Sequence, residues 1–127
     1  MRIATLTLFD ETISGTSTTW YTPASSYDAL GKGDTFAFAA AVYNVTGSPT
    51  LTVQVEHSAD GQNWLNYHAI SGPEINQSLT TASSNTLFTA QADGMNPVLL
   101  SLVRLRVQLS GATPQCRLKL TATTRGF

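Results

Sequence analysis

One octapeptide carries the clearest structural signal in the chain: residues 50–57 read Thr-Leu-Thr-Val-Gln-Val-Glu-His. Apolar side chains stand at every second position and alternate with polar ones. This period of two is typical of a β-strand with one buried face. Asp60-Gly61 follows, a dipeptide that favours a tight hairpin because both residues tolerate a positive φ. We therefore expect a return strand over residues 63–70.

The rest of the chain has the same β character. It holds 19 threonines and 12 serines among 127 residues, and the β-branched threonine suits a pleated strand better than a helix. Turn signals recur roughly every 8–12 residues. The sequence predicts an all-β fold, an antiparallel β-sandwich or jelly roll of about eight strands, with residues 1–127 in a single β-sandwich domain. The predicted strands are residues 3–9, 18–22, 35–45, 50–57, 63–70, 86–90, 99–109 and 115–123, and we expect turns or low order over 10–17 and 71–84.

Charge and composition exclude several classes of protein. Charged residues make up only 12% of the chain, the net charge is −1 and the pI is about 6.0, whereas nucleic-acid binders normally show a basic patch and a high pI. No apolar run approaches the roughly 18 residues of a membrane helix, and no signal-peptide pattern is visible at the N-terminus. We therefore expect no nucleic-acid partner and no membrane association.

Residues suited to catalysis or metal binding are scattered. His57 and His68 flank the Asp60-Gly61 turn, but a metal site needs three or four converging ligands. Most acidic residues stand at turn positions, where Asp is favoured for structural reasons. The lone Cys116 alternates with core residues, which predicts an inert buried thiol, and it excludes a disulfide within one chain. We expect no enzyme activity, no metal and no cofactor.

Two strands near the C-terminus place basic side chains on one predicted face. Alternation sets Arg104 and Arg106, and likewise Arg117 and Lys119, away from the core. If residues 99–109 and 115–123 pair as a hairpin, four of the seven positive charges share one outer face. This basic stripe is either a solvated face that guards against edge aggregation or a docking patch for an acidic protein surface.

The strand over residues 35–45 is apolar on both faces. One face carries two phenylalanines and a valine, and the other is lined by Ala37, Ala39 and Ala41. A strand with two apolar faces is expected where something packs on the outer side, and small side chains allow a close approach. The cover is either a loop of the same chain or a neighbouring subunit.

Residues 51–64 form a recognisable motif, Leu-Thr-Val-Gln-Val-Glu-His-Ser-Ala-Asp-Gly-Gln-Asn-Trp. It resembles the strand, Ser-x-Asp-Gly-x-x-Trp and strand hairpin of small β-sandwich structural proteins of tailed bacteriophages. The ending is similar to theirs as well, with Val-Arg-Leu-Arg-Val-Gln-Leu-Ser-Gly over residues 103–111 and Arg-Leu-Lys-Leu-Thr-Ala-Thr over residues 117–123. Within the motif we expect Trp64 to anchor the hairpin by packing on the face of Val53 and Val55 or on the adjoining sheet.

The resemblance implies a non-enzymatic virion structural protein. Its members include capsid decoration (cement) proteins and other head or tail accessory proteins, so the expected role is to bind the outer head shell and stabilise it. The implied partner is the major capsid protein or another virion protein. The implied location is the head surface of the virion, after synthesis in the host cytoplasm. A homo-oligomer is expected, with a trimer as its form.

Two other roles stay open. A neck or tail accessory protein of the same style fits the sequence equally well. A carbohydrate- or receptor-binding module of a tail or fibre would use exposed aromatic rings. Two exposed, coplanar rings at Trp20 and Tyr21 would favour sugar binding, whereas burial would favour a structural protein. The aromatic residues available for such a surface are Trp20, Tyr21, Tyr27, Tyr43, Trp64 and Tyr67.

Overall fold

The chain folds into ten β-strands within the part that the computed structural model describes, which comprises residues 2–15, 19–23, 25–26, 35–67, 74–80, 82, 85–93, 102–111 and 114–126. No α-helix occurs within these residues. The strands are β1 (Arg2–Ser14), β2 (Thr19–Tyr21), β3 (Ser25–Ser26), β4 (Thr35–Thr46), β5 (Thr50–Ser58), β6 (Leu65–Asn66), β7 (Glu74–Ser78), β8 (Thr86–Asp93), β9 (Leu102–Ser110) and β10 (Gln115–Gly126).

The strands form two antiparallel sheets with the topology of a jelly roll. Sheet 1 has the order β1-β10-β4-β8. In sheet 2, β9 and β5 are the central strands, β2 and β3 both pair with β9 at one edge, and β6 and β7 both pair with β5 at the other. Each edge of sheet 2 is therefore one strand position in two pieces, which gives four positions per sheet. Successive strands change sheet except at the β5–β6 hairpin and within each broken edge. The predicted antiparallel sandwich or jelly roll of about eight strands is confirmed.

The core lies between the two sheets and is built from alternate residues of their strands. Sheet 1 contributes Phe38, Leu118 and Leu120, and sheet 2 contributes Val53 and Leu105; all five are buried. Their polar neighbours in sequence face outward, as the pleat requires. Period-two alternation therefore predicts correctly which face of β5, β9 and β10 is buried.

The broken edge of sheet 2 stays attached through one buried threonine. Thr22 lies between β2 and β3, where the ladder to β9 would otherwise be interrupted. Its backbone N donates to Leu105 O at 3.0 Å, and its Oγ1 accepts a hydrogen bond from Leu105 N at 2.9 Å. A side chain thus replaces a missing strand bond, and no backbone group of Leu105 is left unpaired in the interior.

The predicted hairpin between the last two strands is wrong. β9 pairs with β5, β2 and β3, whereas β10 pairs with β1 and β4 in the other sheet. The turn after Ser110 therefore crosses from one sheet to the other. The alternation of apolar and polar residues is the same in a hairpin and in the observed crossing between sheets. It shows which face of a strand is buried and not which strand lies beside it.

Two further local predictions need correction. Residues 10–14, expected in a turn, continue β1, and β7 lies within the stretch 71–84 that was expected to have low order. The predicted hairpin at Asp60-Gly61 is confirmed, because β6 pairs antiparallel with β5. Its return strand is only Leu65–Asn66 in length, and residues 68–70 lie outside the described part of the chain.

Candidate interaction surfaces

The outer face of sheet 2 is organised around one nearly buried carboxylate. Cross-strand pairing sets Glu56 of β5 opposite Arg104 of β9. Arg104 Nε donates to Glu56 Oε1 at 2.8 Å, and Arg106 Nη1 donates to Oε2 at 3.2 Å. The Glu56 side chain is 7% exposed, against 21% and 29% for the two arginines. One carboxylate therefore neutralises half of the charge of this arginine pair.

Arg104 is also held between two aromatic rings. Its guanidinium carbon lies 4.0 Å from the Tyr21 ring centroid and 4.1 Å from the Trp64 ring centroid. Both contacts are cation–π interactions. Of the two packings expected for Trp64, the one on Val53 and Val55 is wrong, because those valines point into the core. Trp64 instead covers Arg104 of the neighbouring strand β9 in sheet 2, which is not the adjoining sheet of the second expectation either.

Trp20 and Tyr21 do not form a paired aromatic surface. They are adjacent in β2 and so point to opposite faces of the sheet. Trp20 packs against the core, whereas Tyr21 is 47% exposed and covers Arg104. The coplanar arrangement that would favour sugar binding is absent from these two residues, and Tyr27 lies outside the described part of the chain.

The four cations of the predicted basic stripe divide between the two sides of the molecule. Arg104 and Arg106 lie on the outer face of sheet 2, and Arg117 and Lys119 lie in sheet 1. The reason is the crossing of the chain between β9 and β10. A single stripe of four charges does not form.

The outer face of sheet 1 is a plane of small side chains. Ala37, Ala39 and Ala41 of β4 lie opposite Thr123, Thr121 and Lys119 of β10, and the alanines remain partly exposed. Thr5 and Thr7 of β1 extend the plane on one side, where Thr5 Oγ1 and Thr123 Oγ1 are 3.0 Å apart. Leu87 of β8, opposite Ala41, extends it on the other side and is 61% exposed. We call this plane the Ala/Thr face.

A polar pocket of about 350 Å³ lies beside this plane. Two of its lining residues form an ion pair: Arg117 Nε donates to Asp10 Oδ1 at 3.3 Å, and both side chains reach solvent. Asn44 and Asn85 at its rim have left-handed backbones, with φ of 52° and 64°. We call this site the corner pocket; its lining residues are Asp10, Tyr43, Asn44, Asn85, Arg117 and Lys119.

The Asp60 turn is stabilised by its own side chains. Asp60 Oδ1 accepts hydrogen bonds from the backbone N of Gln62 and of Asn63, both at 2.8 Å, and from Ser58 Oγ at 2.9 Å. These donors, the Asn63 backbone foremost, hold the pKa of the Asp60 carboxyl well below its usual value of 3.8. Gly61 has a φ of +79°, as the turn requires. These bonds explain the motif without a ligand.

Two further titratable side chains, His57 and Cys116, are buried. His57 is buried with its ring 5.3 Å from that of Tyr67 in an edge-on contact, and His68 lies outside the described residues. Burial raises the pKa of the Cys116 thiol to about 11. Within the described ranges, no three His, Cys, Asp or Glu side chains converge on a possible metal position. That part of the chain also contains no helix of the length and apolarity that a membrane crossing needs.

Fold and surface together define a jelly-roll β-sandwich with two contrasting outer faces. No protein-family model and no curated protein matches the sequence. Solved structures do match the fold. The chain is similar to the PBSX exported protein XepA, with a TM-score of 0.62 and 12% identity over 98% of this chain and 37% of that one.

Structures of infectious bursal disease virus match as well. The Gt strain gives a TM-score of 0.60 at 14% identity, and the VP2 subviral particle gives 0.50 at 11%. Each match covers 98% of this chain and 32% of the viral chain. The chain thus spans about a third of the length of the structures it resembles. At these identities the likeness establishes a shared jelly-roll fold, and function has to be argued from the surface.

Proposed function

We propose that this chain is a structural protein of a bacteriophage virion, a decoration protein that binds the outside of the head shell and stabilises it. The observation that carries the proposal is the complete jelly-roll topology, shared with a PBSX protein and with structures of a virus particle. The resemblance of residues 51–64 and 103–123 to phage β-sandwich proteins supports it independently. The role requires no catalysis.

The Ala/Thr face is the proposed contact with the shell or with a second copy of the chain. Small side chains let another surface approach the sheet closely, and the exposed Leu87 adds apolar area at its edge. Such a contact stabilises the partner because it binds the assembled state preferentially. Repetition over a lattice multiplies a weak single contact by avidity. The proposed partners are the major capsid protein or another virion protein, together with other copies of this chain.

Sugar binding is the less supported alternative. Trp20 faces the core and the ring of Trp64 is occupied by Arg104, so neither offers a free stacking platform. A neck or tail position fits the fold as well as a head position does. The experiment must therefore locate the chain.

The test is to find the chain in purified virions of the phage that encodes it. Quantitative mass spectrometry is expected to detect it at many copies per particle, and cryo-electron microscopy is expected to show its density on the outside of the head. Density on the neck or tail would replace decoration with an accessory role there. Absence from washed virions that retain their other structural proteins would overturn the proposal.

Shell stabilisation and self-association can be measured separately. Shells lacking the protein should disassemble at a lower temperature than shells to which purified chain has been added back. Light scattering on the isolated chain should give three times 13.6 kDa if it trimerises in solution. A mass of 13.6 kDa both in solution and in chain released intact from shells would contradict the trimer.

A further inference from the structure

The corner pocket owes its shape to an irregularity in β4. Gln115 pairs with Thr46 and Arg117 pairs with Tyr43, so two residues of β4 oppose one residue of β10. This is a β-bulge, and Asn44 within it adopts the left-handed conformation. Bulges redirect side chains and occur preferentially beside functional sites. Here the bulge lies directly beside the pair formed by Arg117 and Tyr43.

A second left-handed asparagine lines the same pocket. Asn85, immediately before β8, donates from its backbone N to Val42 O at 2.6 Å, next to the bulge. Glycine adopts this conformation with no steric cost, and asparagine tolerates it better than most other L-residues. At both positions the chain carries asparagine, which supplies a side-chain amide that glycine lacks. Both asparagines line the pocket.

The charges of the pocket are incompletely paired. Asp10 engages only Nε of Arg117, and within the described residues the two Nη groups have no hydrogen-bond partner. Lys119 has no ion-pair partner there either. Two cations and one carboxylate leave a local charge of +1. On sheet 2, Arg104 and Arg106 also share a single carboxylate, but there Glu56 contacts both cations and two rings cover Arg104.

We propose that the corner pocket binds the carboxylate of an acidic side chain presented by a protein partner. A single carboxylate would neutralise the pocket, and guanidinium Nη groups, an ammonium and two amides are the donors that carboxylate oxygens accept. The pocket is open and polar, so it cannot enclose a free small molecule on most sides as ligand sites do. Its occupant is therefore held by contacts that continue onto the Ala/Thr face, where Lys119 lies beside Ala41.

This inference rests on the proposed docking role, because it names the chemistry that the partner presents. Its test needs neither virions nor shells, so a failure of virion location would not be mistaken for a failure of the pocket. ¹⁵N-labelled chain is titrated with the peptide acetyl-Gly-Glu-Glu-Gly-amide and, separately, with its glutamine analogue. The glutamate peptide is expected to shift backbone amide signals of residues 43–44, 85 and 117–119 with a Kd in the millimolar range. The glutamine peptide should leave them unchanged.

Four variants separate binding from folding. Lys119→Met should weaken binding at least fivefold, and Asp10→Asn should tighten it at least twofold because it removes the opposing charge. Arg125→Gln removes the same charge as Lys119→Met six residues further along β10, roughly 20 Å away at the strand rise, and should change the Kd less than twofold. Asn44→Gly/Asn85→Gly keeps the backbone conformations while removing both amides, so it should weaken binding at least threefold with an unchanged Tm.

Three outcomes would overturn the proposal. One is an equal response to the glutamate and glutamine peptides. Another is equal weakening by Lys119→Met and Arg125→Gln, which would reveal only a general effect of net charge. The last is saturation of the same amide shifts by inorganic phosphate at a lower concentration than by the peptide, which would assign the pocket to phosphate groups.

Discussion

Glu56 is the charged residue on sheet 2 whose loss should destabilise the fold most, because it is nearly buried and forms ion pairs with two arginines. Its removal would leave both guanidinium groups without a counter-ion, and Arg106 Nε already has no hydrogen-bond partner within the described residues. We expect Glu56→Gln to lower the free energy of unfolding by about 2–4 kcal/mol. This loss is somewhat smaller than the loss from breaking a fully buried ion pair, because both arginines reach solvent. Chemical denaturation measures this loss.

The exposed pair between Asp10 and Arg117 provides a matched control. Its atoms lie 3.3 Å apart, but the side chains are 37% and 54% exposed. Removing the carboxylate with Asp10→Asn should therefore cost less than about 1 kcal/mol. Equal effects of Asp10→Asn and Glu56→Gln on the denaturation midpoint would show that burial of Glu56 contributes nothing.

Asp60 links the stability of the motif turn to pH. Its pKa is lower in the folded chain than the usual value of 3.8, so the folded state favours the carboxylate. The resulting stabilisation is fully present above the unfolded pKa and is lost as pH falls below about 4 towards the folded value. Asp60→Asn removes this linkage, so its Tm should lie below that of the wild type at pH 7 and approach it at pH 2.5. Thermal melts at both pH values test this, and a constant Tm difference would contradict it.

At the level of the strands, local patterns predict faces well and neighbours poorly. The alternation in β9 and β10 sets Arg104 and Lys119 outward, and both lie outward in the structure. Nothing in this period-two alternation shows that β9 belongs to sheet 2 while β10 belongs to sheet 1. The Arg104 stack was missed for the same reason, since Tyr21 and Trp64 reach it from strands and loops distant in sequence. The available signal was one aromatic residue on each side of β9: Tyr21 in β2, and Trp64 in the turn between β5 and β6.

A pair of engineered disulfides distinguishes the jelly roll from the hairpin. Thr5 and Thr123 are cross-strand partners in sheet 1 with hydroxyls 3.0 Å apart, so Thr5→Cys/Thr123→Cys has the geometry that a disulfide needs. The bond should form on oxidation and add about 2–4 kcal/mol of stability, since it closes a long loop. The buried Cys116 thiol should not compete, because its pKa is raised to about 11.

The matched control uses the pairing that the hairpin would have required. Gln108 and Gln115 flank the turn and would face each other in a hairpin, but they lie in different sheets. Gln108→Cys/Gln115→Cys should stay reduced under the conditions that oxidise the first variant. Thiol titration and non-reducing mass spectrometry read out both proteins. Rapid oxidation of the control with none at Thr5 and Thr123 would restore the hairpin.

On the scale of the whole molecule, the two outer faces of the sandwich differ in how completely their polar groups are paired. The face of sheet 2 carries a carboxylate bound by two arginines and an arginine covered by two rings, so its strongest groups are already engaged. The Ala/Thr face presents small side chains and an exposed leucine beside an incompletely neutralised pocket. A partner that binds the face of sheet 2 must disrupt existing contacts, whereas the Ala/Thr face offers new ones.

Placing one charge on each face tests this asymmetry. Ala39 lies at the centre of the Ala/Thr face, and Thr52 points outward from β5 in sheet 2; both are partly exposed. Glutamate at either site can reach solvent, so Ala39→Glu and Thr52→Glu should each change the free energy of unfolding by no more than about 1 kcal/mol. An unpaired charge buried at an interface is far more costly. Ala39→Glu should therefore abolish binding to shells lacking the protein, while Thr52→Glu retains wild-type occupancy in a sedimentation assay. The reverse pattern would move the docking surface to sheet 2.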